Sequence, residues 1–186
     1  MSRKIIVLTL FVGFAHTTFA AERYDLGRLV KQEELADWDT DVRPDGSGLP
    51  PGRGGVREGR QVYAQKCAGC HGEQGEGKAV AGAMGGFDRL VGGNGTLDKP
   101  APVMTVGSYW PYTTTLFDYI RRAMPLNAPQ SLTADQVYAV SAYLLYLNDI
   151  IPEDAILDEK SLPQVRMPNR DGFITEDPRP DVSSKP

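Results

Sequence analysis

Four stretches of this chain carry apolar residues in runs or at helical spacing, and long polar runs rich in glycine and proline separate them. Between Val56 and Cys67, Gly59, Val62, Tyr63 and Lys66 fall at i, i+3, i+4 and i+7. That spacing predicts a helix with Gly59 and Tyr63 on one face. Tyr112 to Ala123 predicts a second helix, which stops at Met124-Pro125 because proline disfavours helical backbone in the residue before it. The clearest signal starts at Thr133, an N-cap with Gln136 three positions on, the pattern of a capping box. Val137, Val140, Ser141, Leu144, Leu145 and Asn148 follow at helical spacing, with Tyr143 and Leu147 widening the face. Gly59, Tyr63 and Tyr143 therefore predict a close crossing of the first and last of these helices.

The polar stretches read differently. Lys31 to Trp38 is a short helical candidate, and Arg43 to Gly52 (RPDGSGLPPG) is extended linker. Gly72 to Gly95 is a glycine-rich loop suited to wrapping one side of a ligand, and Pro100-Ala101-Pro102 is a turn. From Pro152 to Pro186 the chain is proline-rich and charged, with Met167-Pro168 and Phe173 its notable apolar points. Such a tail folds weakly alone and lies across the domain or a partner. The expected organisation is an all-α domain over 56–150, with irregular extensions over 21–55 and 151–186.

The fourth apolar stretch is N-terminal. Ser2-Arg3-Lys4, the run Ile5 to Phe14 and Thr18-Phe19-Ala20 form a basic region, an apolar region and a small-x-Ala exit. They read as a secretory signal over residues 1–20, cleaved after Ala20 or Ala21, with an uncleaved anchor as the alternative. No later segment is apolar enough to span a bilayer. Removing Arg3 and Lys4 leaves 18 basic against 24 acidic residues, a net charge of −6. That balance disfavours nucleic acid and suits a partner with a basic docking patch. With 20 glycines, 14 prolines and a mean hydropathy of −0.32, the core is small. A buried prosthetic group would supply the missing apolar mass.

Both cysteines fall in one pentapeptide, Cys67-Ala68-Gly69-Cys70-His71, which has the form of a haem c attachment site. Two thiols three positions apart can form thioethers to two vinyl groups of one porphyrin, and the adjacent imidazole of His71 is held under the iron. A zinc site would need more Cys or His ligands, and the only other histidine, His16, lies in the predicted signal. A thioredoxin-type motif would need a βαβ setting that the flanks do not offer. Attachment of haem c outside the cytoplasm agrees with export, and a bacterial periplasm is the expected location.

An electron-transfer haem needs a second axial ligand. The candidates are Met84, Met104, Met124 and Met167. Order favours Met124, between a helix end and the capped last helix, in a loop stiffened by Pro125; a core contact is its alternative role. Methionine with histidine raises the reduction potential, which suits an acceptor of electrons. Tyr109, Trp110 and Tyr112 could hydrogen-bond haem propionates or simply pack in the core. Arg121 and Arg122 could neutralise propionates, although a solvated helix face is the simpler role.

These residues together resemble a class I cytochrome c over Val56 to Ile150. A narrower resemblance rests on Trp38 to Pro50 (WDTDVRPDGSGLP), Thr105 to Tyr112 (TVGSYWPY), Arg121 to Pro125 (RRAMP) and Val165 to Phe173 (VRMPNRDGF). These segments are similar to the cytochrome subunit of periplasmic sulfite or sulfane dehydrogenases of the Sox sulfur-oxidation system. The resemblance implies a molybdenum-cofactor partner subunit, in a heterodimer or larger complex, that oxidises the sulfur substrate and hands electrons to haem. It also implies a downstream periplasmic cytochrome or oxidase, and gives the two extensions a role as arms around the partner. Sulfane dehydrogenase cytochromes often carry two haem domains, and this chain has one motif, so the sulfane enzyme, a sulfite dehydrogenase and another periplasmic oxidoreductase all stay open as partners. A freestanding periplasmic shuttle is the main alternative. A haem enzyme acting on thiosulfate or peroxide is a third, and it requires that no methionine ligate iron.

Overall fold

The computed structural model describes residues 26–35, 38–79 and 86–174. The predicted signal and Met84 lie outside the described residues. The chain divides into two units, Met1–Asp37 and Trp38–Pro186. In the first, α1 (Gln32–Leu35) is a single turn. The Glu34 carboxylate ties it locally, accepting from the Arg28 guanidinium at 2.5 and 2.7 Å and from the Lys31 N–H at 2.9 Å.

The second unit runs β1 (Arg53–Gly55), α2 (Val56–Lys66), α3 (Ala68–His71), β2 (Lys78–Ala79), β3 (Gly86–Phe87), α4 (Thr113–Ala123), α5 (Ala134–Leu147) and β4 (Ile156–Asp158), then a 3-10 turn at Leu162–Gln164. Helix α5 is the centre of its core. Nine of its residues, Val137 through Leu145, are buried. Its start is the expected capping box: Gln136 N–H donates to Thr133 Oγ1 at 3.3 Å, and Thr133 N–H donates to Gln136 Oε1 at 3.0 Å.

Helices α2 and α4 both pack on α5. Tyr63 of α2 and Tyr143 of α5 bring their ring centroids to 5.3 Å, and Phe117 of α4 and Tyr138 of α5 to 4.5 Å. The expected crossing thus forms at Gly59. A Cβ there would stand 1.9 Å from the Ala139 carbonyl oxygen, so only glycine lets the backbones approach this closely. Gly54 repeats the device, since its Cβ would meet Ala139 N at 2.4 Å.

The core is helical, as expected, but two small antiparallel ladders are added. β1 pairs with β4 in the register Arg53↔Asp158, Gly54↔Leu157 and Gly55↔Ile156, and β2 pairs with β3. These strands of two or three residues, partly glycine, lack the alternation or β-branched run that announces a strand.

The segment after α5 lies across the domain. Leu157, Leu162 and Met167 are buried in the core, and Thr113 Oγ1 donates to the Leu162 carbonyl at 2.6 Å. The linker before β1 is also tied down. Tyr138 OH donates to the Pro50 carbonyl at 2.9 Å, and Arg53 N–H donates to Asp135 Oδ1 at 2.7 Å.

Candidate functional site

Helix α2 delivers the first cysteine. Its last turn ends where Cys67 leaves helical geometry (φ −122°, ψ −40°) while its N–H still donates to the Tyr63 carbonyl at 2.8 Å. A new turn, α3, starts at once and carries Cys70 and His71, with the His71 N–H donating to the Cys67 carbonyl at 2.9 Å. Gly72, at φ +83°, reverses the chain, and a Cβ there would collide with the Glu76 carboxylate. The Tyr63 hydroxyl donates to the Gly72 carbonyl at 2.8 Å and fixes this reversal to α2.

Both thiols are free and half-buried. Burial, and then the neighbouring Cys70, pushes the Cys67 thiol up to about 11. It is therefore protonated near neutral pH. Burial likewise raises the Tyr63 phenol well above its ordinary range, so that it remains a neutral donor.

His71 has a defined tautomer. Its Nδ1 lies 3.0 Å from the Asp88 carbonyl oxygen. A carbonyl only accepts, so Nδ1 is the donor, and in the neutral imidazole Nε2 is then the nitrogen whose lone pair can bind a metal. Phe87 meets the imidazole edge-on, ring centroids 6.1 Å apart, from the short β3.

These residues line a cavity of about 680 Å³, within the span of about 300–1,000 Å³ common for ligand pockets. Tyr63, Cys67, Cys70 and His71 contribute one part of its lining. Met124 and Pro125 contribute another, and Leu116, Ile120, Val140 and Leu144 supply apolar wall. The donor set fits a covalently held haem: two adjacent free thiols, an imidazole with Nε2 available, a thioether, and largely apolar walls.

The other sequence-predicted residues separate into two groups. Trp110 lines the cavity and packs edge-on against Tyr119 at 5.7 Å. Tyr109 does not line it: its ring meets Phe173 at 5.2 Å, and its carbonyl accepts from Asn169 Nδ2 at 2.7 Å. Tyr112 sits under the Arg170 guanidinium at 4.1 Å. Arg122 bridges Asp118 and, at 2.9 Å, Asp41. Among the described methionines besides Met124, Met104 lines the cavity but is largely exposed, whereas Met167 is buried in the core. Sequence reasoning missed Asp88, whose contribution is a backbone carbonyl, and the part of Asn148 in holding the neighbouring loop. Neither carries a motif.

The comparisons with known proteins agree with this geometry. Residues 54–144 match the family model described as cytochrome C oxidase, cbb3-type, subunit III. A chain in the crystal structure of the sulfane dehydrogenase SoxCD from Paracoccus pantotrophus is 43% identical and superimposes with a TM-score of 0.75. That match covers 83% of this chain and 73% of the other. A thiosulfate dehydrogenase from Stutzerimonas stutzeri (strain A1501) is 29% identical over 121 residues, 64% of this chain. The chain spans only 36% of that protein's length. The chain belongs to the cytochrome c family, whose cofactor is haem c and whose function is electron transfer. Within the family it is similar to a sulfane dehydrogenase chain. Among the described residues, no helix is long and apolar enough to cross a membrane.

Proposed function

We propose that this protein is an exported, periplasmic mono-haem cytochrome c that accepts electrons from a molybdenum-containing sulfite or sulfane dehydrogenase subunit. Residues 1–20 direct export, 56–150 form the haem domain, and 21–55 and 151–186 engage the partner. Cys67 and Cys70 would hold one haem through thioethers, and His71 and Met124 would ligate its iron. When bound, haem c supplies a one-electron Fe(III)/Fe(II) couple.

The chain's residues set the conditions for that couple. The Asp88 carbonyl orients His71 and raises the basicity of Nε2. Met124 offers a soft sulfur donor, which favours the reduced state. Leu116, Ile120, Val140 and Leu144 exclude water. Trp110 lines the cavity, while Tyr109 packs against Phe173 outside that lining. The sulfur substrate is oxidised on the partner, and electrons leave one at a time to a downstream cytochrome or oxidase.

The observation that carries the haem assignment is one cavity lined by both thiols and by His71, whose Nδ1 lies 3.0 Å from the Asp88 carbonyl oxygen. The likeness to a SoxCD chain, at 43% identity, supports the partner class. The test is native purification with metal analysis, followed by addition of sulfite or a sulfane donor. Copurification with molybdenum, and haem reduction that requires the copurified subunit, is expected. A monomer that accepts electrons only from other carriers would make it a freestanding shuttle. Turnover of thiosulfate by the isolated chain would make it an enzyme.

A further inference from the structure

We propose that Asn148 is a positioning residue for His71, holding through its carboxamide the loop whose Asp88 carbonyl fixes the imidazole. This rests on the assignment of His71 as a ligand. Asn148 follows α5 and is 3% exposed. Its side chain is fully engaged: Oδ1 accepts from Gly92 N–H at 3.0 Å, and Nδ2 donates to the Leu90 carbonyl at 3.2 Å and the Leu144 carbonyl at 2.9 Å.

Two of these three bonds leave the helix for a loop more than 50 residues earlier, with separations of 56 and 58. Termination of α5 does not need them, because the Asn148 backbone N–H already reaches the carbonyls of the last turn. Nor is asparagine needed for a left-handed backbone, since its φ is −96°. The surroundings are shaped to admit the carboxamide. A Cβ on Gly107 would stand 2.3 Å from Asn148 Oδ1.

The held loop is the one that matters to His71. Asp88 precedes Leu90 by two residues, and its carbonyl is the acceptor for Nδ1. The loop is gripped on one side by Gly75, which accepts from Leu90 N–H at 2.8 Å, and on the other by Asn148. Thr105 Oγ1 adds a bond to the Gly92 carbonyl at 2.5 Å. A buried polar network of this kind fixes one arrangement, and loss of a member leaves its partners unpaired. Displacing the Asp88 carbonyl weakens the Nδ1–H bond, lowers the basicity of Nε2 and so favours the ferrous state.

The test uses full-length haem-loaded protein carrying Asn148→Leu, with Asn148→Ala read in the same way should the first not accumulate. Two quantities are followed: solvent exchange of the His71 ring N–H by NMR, and the reduction potential. Exchange about tenfold faster is expected from the loss of two loop bonds, together with a raised potential. Thr133→Ala, which removes the cap at the other end of α5, serves as a destabilised control and should move neither. Lowered thermal stability with exchange and potential unchanged would overturn the proposal. A His71→Ala protein whose haem spectrum matches the parent would overturn the ligand assignment beneath it, a separately visible failure.

Discussion

The α-carbon of Gly59 faces the Ala139 carbonyl so closely that a methyl group on it would lie 1.9 Å from that oxygen and 2.8 Å from Tyr143 Cβ. Two backbones therefore meet at the crossing of α2 and α5, and α2 is the helix that ends at Cys67. The spacing of the first thiol from the core depends on this contact.

Gly59→Ala must push the two helices apart. Overpacking of this kind is expected to cost about 3 kcal/mol. Guanidinium denaturation followed by circular dichroism measures it, and an unchanged midpoint would contradict the close crossing.

The segment after α5 contributes to stability. Leu162 is fully buried beneath Thr113 and α4. Leu162→Ala is expected to cost about 2–5 kcal/mol, the range for emptying a core leucine site. A tail that only contacts a partner would show no loss in the isolated cytochrome.

The edge of that segment carries a pH-dependent term. The Asp158 carboxylate accepts from the Ser161 and Lys160 N–H groups and from the Ser161 hydroxyl at 2.8–2.9 Å. These bonds, led by the Ser161 N–H, hold its pKa below the ordinary 3.8. A carboxyl depressed by folding contributes stability that is present in full above its unfolded value and is lost as pH falls through the folded one. The melting temperature of the parent relative to Asp158→Asn should be constant above pH 3.8 and decline below it. A difference that grows on acidification would contradict the assignment.

Met124 and Met104 both line the cavity. If Met124 is the ligand, Met124→Ala removes the near-infrared charge-transfer band of methionine-ligated ferric haem and lowers the reduction potential, because the soft donor is lost. Met104→Ala should leave both unchanged. The reverse pattern would transfer the ligand role to Met104.

What could be read from the chain followed from how local each signal is. The Thr133–Gln136 box and the crossing of Gly59, Tyr63 and Tyr143 depend on spacing within a helix, and both formed. The Cys67 to His71 motif is likewise contiguous. Asp88 was invisible because a backbone carbonyl has no residue signature. Asn148 read as a position on the α5 face, and two of its three side-chain bonds reach residues 56 and 58 positions away. Leu162 and Met167 are isolated apolar residues in a polar run, and only the folded domain reveals their burial. Place in the fold sets Met167, packed in the core, apart from Met124 and Met104, which both line the cavity.

Attachment of one haem to Cys67 and Cys70 is read from the intact mass of the exported protein under denaturing conditions. A gain of one haem mass over the processed chain is expected, retained after denaturation and abolished in the Cys67→Ser, Cys70→Ser double variant. A mass equal to the bare chain, or a haem lost on denaturation, would contradict it.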